Sequence, residues 1–175
     1  MDIDFFLIQK MKRGNEAAFD IFVRKYYTEI LQYCSYHCHD SFYAEDLTQE
    51  TFVRFFTKLS DYRYMGKTKN YLFTIAGNLC KDYYKKIKED ILDELNWDKH
   101  YSTNSSMIEE IYNKIVVQAA LENLPIELRE VVVLYYFQDM KLAEIAETLN
   151  IGLPLVKYRM KQAKVKLEKM LLKED

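Results

Sequence analysis

Helix-breaking residues are nearly missing from this sequence. Two prolines and four glycines serve all 175 residues, and no stretch alternates β-branched with polar residues as a half-buried strand requires. The pattern excludes sheet architectures and predicts an all-α protein. No apolar run approaches the roughly 20 residues that cross a bilayer. Met1-Asp-Ile-Asp-Phe-Phe6 has neither a basic leader nor a small-residue cleavage site, so no secretory signal is expected. Three cysteines is an odd number, and without an export signal it favours reduced thiols in a cytosolic setting. Nor does a glycine-rich turn or oxyanion site accompany any Cys/His pair. No catalytic residue, cofactor or small-molecule substrate is expected.

What is present is apolar, aromatic and unevenly charged. The hydrophobic fraction is 49%, enough for a packed core, and 15 Tyr and 10 Phe supply much of it. The net charge of −2 hides a division. Residues 1–88 carry fourteen basic and eleven acidic groups, residues 89–118 two and seven, and residues 119–175 nine of each. In the last segment the positive charge gathers near the end, with seven Lys or Arg against one Glu between Lys157 and Lys173. Two basic surfaces separated by an acidic connector are expected.

In the first half, Asn15 after Gly14 suits a helix cap, and Phe19, Phe22, Val23, Tyr26, Ile30, Tyr33 and Cys34 follow at helical spacing. A second helix is predicted over Tyr43–Leu59, a loop over Ser60–Thr68 and a third, increasingly basic helix over Asn70–Lys88. The acidic and polar stretch from Glu89 to Ser106 reads as a linker. Its Trp97 fits a docking anchor or a local apolar contact equally well. The predicted organisation is thus a domain over 1–88, a linker over 89–106 and a second domain over 107–175, which includes an Ile126–Phe137 helix.

The segment Leu142–Leu167 carries the most specific pattern. Leu142, Ile145, Ala146 and Leu149 form one helical stripe, and Val156, Met160, Ala163 and Leu167 form another. Asn150 and Gly152 between them tolerate left-handed angles, and Pro154 suits a first helical turn. This is a helix-turn-helix, which lays its second helix in the major groove. Tyr158, Lys161, Gln162 and Lys169 face away from the apolar stripe, with Leu155 at its edge. Gln can pair with adenine and an apolar side chain can touch a thymine methyl, while Lys157 and Arg159 suit phosphate. An ordinary bundle with a solvated lysine face has the same spacing.

Three motifs, in order, resemble the extracytoplasmic-function (ECF) group of bacterial RNA polymerase sigma factors. Tyr43-Ala-Glu-Asp-Leu-Thr-Gln-Glu-Thr-Phe-Val-Arg-Phe55 is similar to that family's AEDLxQExF helix. Tyr62-Arg-Tyr-Met-Gly66 with Tyr71-Leu-Phe-Thr-Ile-Ala-Gly-Asn78 is similar to FRG…WLxxIAxN, though less closely. Leu124-Pro-Ile-Glu-Leu-Arg-Glu-Val131 and the helix-turn-helix resemble LPxxxRxxxxL…EIAxxLxI…VKxRxxxA. The resemblance covers nearly the whole chain. It implies a non-enzymatic, two-domain helical protein whose first domain binds core polymerase and opens the downstream promoter element, while the second reads the minus-thirty-five element. It also implies a cytoplasmic location and an anti-sigma partner, often membrane-embedded in this family. The runner-up is a free-standing helix-turn-helix regulator, and a sigma-like interaction protein without promoter activity is a third.

Asp46, Gln49 and Glu50 share one helical face by their spacing, and the resemblance makes that face the polymerase-binding one. Tyr62, Arg63, Tyr64, Lys67, Lys69, Tyr71, Asn78 and Lys81 combine stacking rings with phosphate-binding charges, as single-stranded DNA requires. By composition alone an aromatic core beneath a basic face fits equally well, with Leu72, Phe73 and Ile75 as core. The resemblance places a pocket for an extruded base at Arg63–Lys69 and around Asn78. The chain departs from the family at Tyr71, where Trp is common, at Gly77, where a basic residue is common, at Pro154-Leu155, where Gly-Thr is common, and at Tyr158, where a small polar residue is common. Docking geometry is therefore implied, and a promoter sequence is not.

Cys34, His37 and Cys38 share a helical face, which a metal ion would accept. His39 adjoins this cluster, no second CxxC or HxxxH pair completes a ligand set, and only Cys80 and His100 remain beyond it. Core packing is the expected fate of these cysteines. The acidic linker, with Asp93, Glu94 and Asp98, reads as a tether or as a charge repelling promoter DNA.

Overall fold

The computed structural model describes residues 2–38, 40–93 and 116–171. All secondary structure among them is helical. Helices α1 (Ile3–Lys12), α2 (Glu16–His37), α3 (Ser41–Thr57) and α4 (Thr68–Asp93) form the first half. Helix α5 (described from residue 116 to 122), α6 (Ile126–Tyr136), α7 (Leu142–Leu149) and α8 (Leu153–Leu171) form the second. None of these helices is long and apolar enough to cross a membrane. The linker residues 94–106, Trp97 and His100 among them, lie outside the described residues.

Aromatic rings fill the first half. Phe22 of α2 stacks on Phe55 of α3 with centroids 4.9 Å apart, and Phe19 meets Phe56 edge-on at 5.0 Å. Tyr33 packs against Phe73 of α4 at 5.3 Å. Phe22, Tyr33, Phe55, Leu72 and Phe73 are fully buried, and Ile75 is half-buried. Offset and edge-on pairs like these contribute beyond the area they bury. Asn15 caps α2, its side chain accepting the Ala18 N–H at 3.0 Å. Helix α1 was not anticipated. Asp2 caps it, and its buried Asp4 accepts from the Tyr26 hydroxyl and pairs with Lys25 at 2.5 Å.

The predicted boundaries of α3 and α4 both shift, to Ser41–Thr57 and Thr68–Asp93. Helix α3 starts at Ser41, because Asp40 caps it through the Phe42 N–H at 2.8 Å. Helix α4 continues through Asp93, five residues into the stretch read as linker. No glycine or proline follows Gly77 in that helix, and its Lys and Glu residues are good helix formers.

In the second half α6 is apolar almost all round, with Leu128, Val131, Val132, Val133 and Leu134 buried, and α5, α7 and α8 surround it. The halves touch along α2/α4 and α6/α7. Thr74 Oγ1 of α4 donates to the Thr148 carbonyl at 2.9 Å. Gln118 donates to the Ser35 carbonyl at 3.1 Å, and the Tyr36 and Phe137 rings lie 4.3 Å apart.

Candidate polymerase and nucleic-acid interfaces

On α3, Ala44, Thr48, Thr51 and Phe52 face the core. Asp46 and Gln49 consequently point outward and are exposed, with Glu50 half-buried beside them. Glu50 Oε1 pairs with Arg54 Nε at 2.8 Å, so Asp46 and Gln49 carry the uncommitted polarity of this face. Phe42, Tyr43 and Val53 are exposed around it. An exposed carboxylate and amide rimmed by apolar groups suit a basic partner surface through charge-assisted bonds.

The loop from Ser60 to Lys67 is held from beneath. Lys12 donates to the Ser60 and Tyr62 carbonyls at 3.1 and 2.7 Å, and Gly66, at φ +73°, turns the chain into α4. Tyr62 stacks on Tyr71 at 5.2 Å and meets Phe55 edge-on at the same distance. Burial raises the Tyr62 hydroxyl pKa above its ordinary value. Tyr64 leans on Phe5 and donates to Asp2. These tyrosines are therefore packed, with only part of each ring open, and they brace the loop. Arg63, Met65 and Asn78 are exposed.

The lysines of this surface are engaged. Lys69 pairs with Glu29 at 3.1 Å and lies 5.8 Å from the Phe73 ring centre. Lys67 pairs with Glu147 of α7. Lys81 Nζ lies 2.9 Å from Oε1 of Glu130, whose side chain is 1% exposed. Burial pushes the Glu130 carboxyl pKa up, and the Lys81 ammonium works against that rise. A Cβ on Gly77 would stand 3.0 Å from the Tyr33 hydroxyl and 3.6 Å from Glu130 Oε1. The departure from a basic residue at this position thus has a steric reason: a long side chain would wedge between α4 and α6. Sequence reasoning missed Glu130. Its only signal was an acid in an apolar helix, and its partner is 49 residues away in sequence.

The helix-turn-helix forms with one change from expectation. Asn150 takes the left-handed conformation at φ 53°, ψ 46°, and the Ile151 N–H returns to the Ala146 carbonyl at 2.9 Å. Gly152 does not use a positive φ; one left-handed residue suffices, and Leu153 already opens α8. Pro154 sits in its first turn. Val156, Met160 and Ala163 are buried, with Leu167 half-buried. Leu155 and Tyr158 are 40% and 60% exposed. Lys157 and Lys161 are exposed, and Arg159 and Gln162 half-buried, which leaves one continuous face for a groove.

Cys34, His37 and Cys38 are buried together. His37 Nδ1 bonds the Tyr33 carbonyl at 2.8 Å, and desolvation lowers its pKa to about 4. Cys34, Cys38 and Cys80 of α4 are free and buried, and the two neighbouring thiols together with burial push the Cys80 pKa well up. No group of three His, Cys, Asp or Glu side chains among the described residues has a metal-binding arrangement.

Two family models match the chain. Residues 22–89 match the Sigma-70 region 2 family model, and residues 114–167 match Sigma-70, region 4. The chain is 31% identical over 176 residues to the ECF RNA polymerase sigma factor SigW of Bacillus subtilis, covering 94% of each. It is 28% identical to SigM of the same organism over 76% of this chain and 82% of SigM. Its fold is similar to that of CnrH in complex with the cytosolic domain of CnrY, with a TM-score of 0.77, 24% identity and coverage of 99% and 100%. A second similar fold is RpoE bound to the anti-sigma factor NepR from Bartonella quintana, with a TM-score of 0.73, 18% identity and coverage of 87% and 96%. The chain belongs to the ECF RNA polymerase sigma factors, the proteins that bring core RNA polymerase to promoters and start transcription.

Proposed function

We propose that the work is divided between a domain over 1–88 and a domain over 107–175, joined by the 89–106 segment. The outward face of α3 docks on core polymerase through Asp46 and Gln49, with Glu50 tuned by Arg54. The observation that carries this reading is the exposure of Asp46 and Gln49 beside apolar Phe42, Tyr43 and Val53. Replacing Asp46 and Gln49 by alanine is expected to weaken core binding at least thirtyfold, roughly the 2 kcal/mol of one interface hot spot. Co-elution with core polymerase measures this. Folding should be untouched, because neither side chain is buried.

The loop and α4 open the promoter. Arg63, Lys67, Lys69 and Lys81 hold phosphates, Tyr62, Tyr64 and Tyr71 supply ring faces at the loop, and Asn78 offers an amide to a base edge. Unstacking one base costs about a few kcal/mol, which these contacts offset in the open complex. The second domain lays α8 in the major groove. Lys157 and Arg159 fix its register on phosphate, while Leu155, Tyr158, Lys161 and Gln162 approach base edges. Substituting Lys161 and Gln162 together should change which promoters are used, by about tenfold for each lost base contact. Competition between two promoters in one transcription reaction reads this out, and unaltered selectivity removes α8 from direct readout.

No bond is made or broken by this chain in that scheme; catalysis is the polymerase's. The reading places the protein in the cytoplasm. An anti-sigma factor, membrane-embedded or not, is a further expected partner, since RpoE, of similar fold, is in complex with the anti-sigma factor NepR.

A further inference from the structure

Helix α1 lies ahead of residues 22–89, the stretch that the region 2 model matches, yet both of its ends hold the loop between α3 and α4. Lys12 Nζ, in the last turn of α1, donates to the Ser60 carbonyl at 3.1 Å and the Tyr62 carbonyl at 2.7 Å. At the other end Asp2 accepts from the Tyr64 hydroxyl, and the Phe5 ring meets Tyr64 edge-on at 5.8 Å. The two ends lie about 15 Å apart at the helical rise per residue. Helix α1 is itself fixed, since Leu7, Ile8 and Met11 are buried and Asp4 is tied to Lys25 and Tyr26 of α2. The loop has little of its own to set its shape. Arg63, Tyr64, Met65 and Gly66 make no backbone–backbone hydrogen bond among the described residues. Its course therefore rests on side chains packed or bonded against it, and Lys12 is the one that grips its backbone.

We propose that α1 is a splint for the base-capturing loop, with Lys12 and Asp2 as positioning residues that set which base the loop accepts. The inference rests on the reading of this loop and Asn78 as the site of an extruded base. One base edge is told from another by where donors and acceptors stand, so a loop whose backbone wanders loses selectivity. Phosphate contacts carry no sequence information, and Lys69 and Lys81 stand on α4, away from the Lys12 ammonium's two acceptors. A loop without its splint must also be ordered at the moment of binding, a cost that preorganisation removes. Loss of the ammonium should thus flatten base preference and leave most of the overall affinity in place. That split separates a positioning residue from a phosphate contact, whose loss weakens binding to every sequence alike.

The full chain assembled with core polymerase tests this on a pool of duplexes that carry a randomised single-stranded bubble. Bound DNA is sequenced, and the ratio of most to least favoured base is read at each bubble position, beside the total fraction retained. Wild type is expected to favour one base by about tenfold or more at one position, the discrimination of one good base contact. Lys12→Met keeps the side-chain length and removes the donors. Its ratio at that position should fall below about threefold, with total retention changed by less than about threefold. Lys12→Arg brings back the donors and should recover the preference. Asp2→Ser keeps a capping oxygen for α1 but is too short to hold Tyr64, and should flatten the same position. Lys12 and Asp2 are both exposed, which leaves the folded core intact in every variant. Unaltered preference in Lys12→Met or in Asp2→Ser would overturn the splint and leave the base site standing. An equal loss across all sequences would make Lys12 a phosphate contact and overturn its positioning role. No preference at any position by wild type would remove the base-site reading, and the inference with it.

Discussion

Replacing Phe55 by alanine is expected to destabilise the first half by about 3–5 kcal/mol, the range for removing a fully buried ring from a packed core. Phe55 is 0% exposed. It stacks on Phe22, meets Tyr62 edge-on and lies 6.1 Å from Tyr71. Three elements therefore converge on this ring of α3: α2 through Phe22, the loop through Tyr62 and α4 through Tyr71. The cavity would open directly under Tyr62, whose carbonyl Lys12 holds at 2.7 Å. Urea unfolding followed by helical circular dichroism measures the loss. Phe55→Leu should cost less, since leucine refills much of the volume. A loss under about 1 kcal/mol for the alanine variant would show that the aromatic cluster does not support the loop.

The second large effect is expected at Arg129. Its side chain is buried at 1% exposure, inside α6, and its Nη2 donates to the Glu122 carbonyl at 2.8 Å and the Leu124 carbonyl at 3.2 Å. These carbonyls lie at the end of α5 and before Pro125, where the helix's own N–H groups no longer follow to donate to them. The guanidinium thus closes the α5–α6 corner from within. Burial lowers its pKa from the ordinary arginine value, and it remains charged at neutral pH. Arg129→Met keeps the length and removes the donors, and should cost about 2–4 kcal/mol, a charged hydrogen bond with the desolvated carbonyls left behind. Arg129→Lys should fall between, because an ammonium cannot reproduce the planar fork. Thermal unfolding of the second half reads this, while core binding through α3 should persist. A variant as stable as wild type would leave the buried arginine without a structural task.

Where local chemistry decides, the sequence was legible. Asn15 and Asn150 were read as cap and turn from side-chain type alone, and both act so. The α8 stripe of Val156, Met160 and Ala163 followed from spacing. What stayed hidden depends on distance along the chain or on short signals. Helix α1 is ten residues long, and its anchor is Asp4 reaching Lys25 and Tyr26. No stop signal separates Lys88 from Asp93 in α4. Tyr62 and Tyr71 read equally well as base-stacking or core residues, and only their mutual stacking reveals that they do the packing first. Arg129 stood in a family motif without a role until its carbonyl partners were placed. Glu130 and Lys81 could not be paired from periodicity, because each belongs to a different half.

One measurement bears most directly on the central claim: run-off transcription by bacterial core RNA polymerase on candidate promoters, with and without this chain. The account predicts defined start sites only when the chain is added, and their loss when Asp46 and Gln49 are replaced by alanine. Promoter binding by the chain alone, with core polymerase neither captured nor redirected, would contradict it.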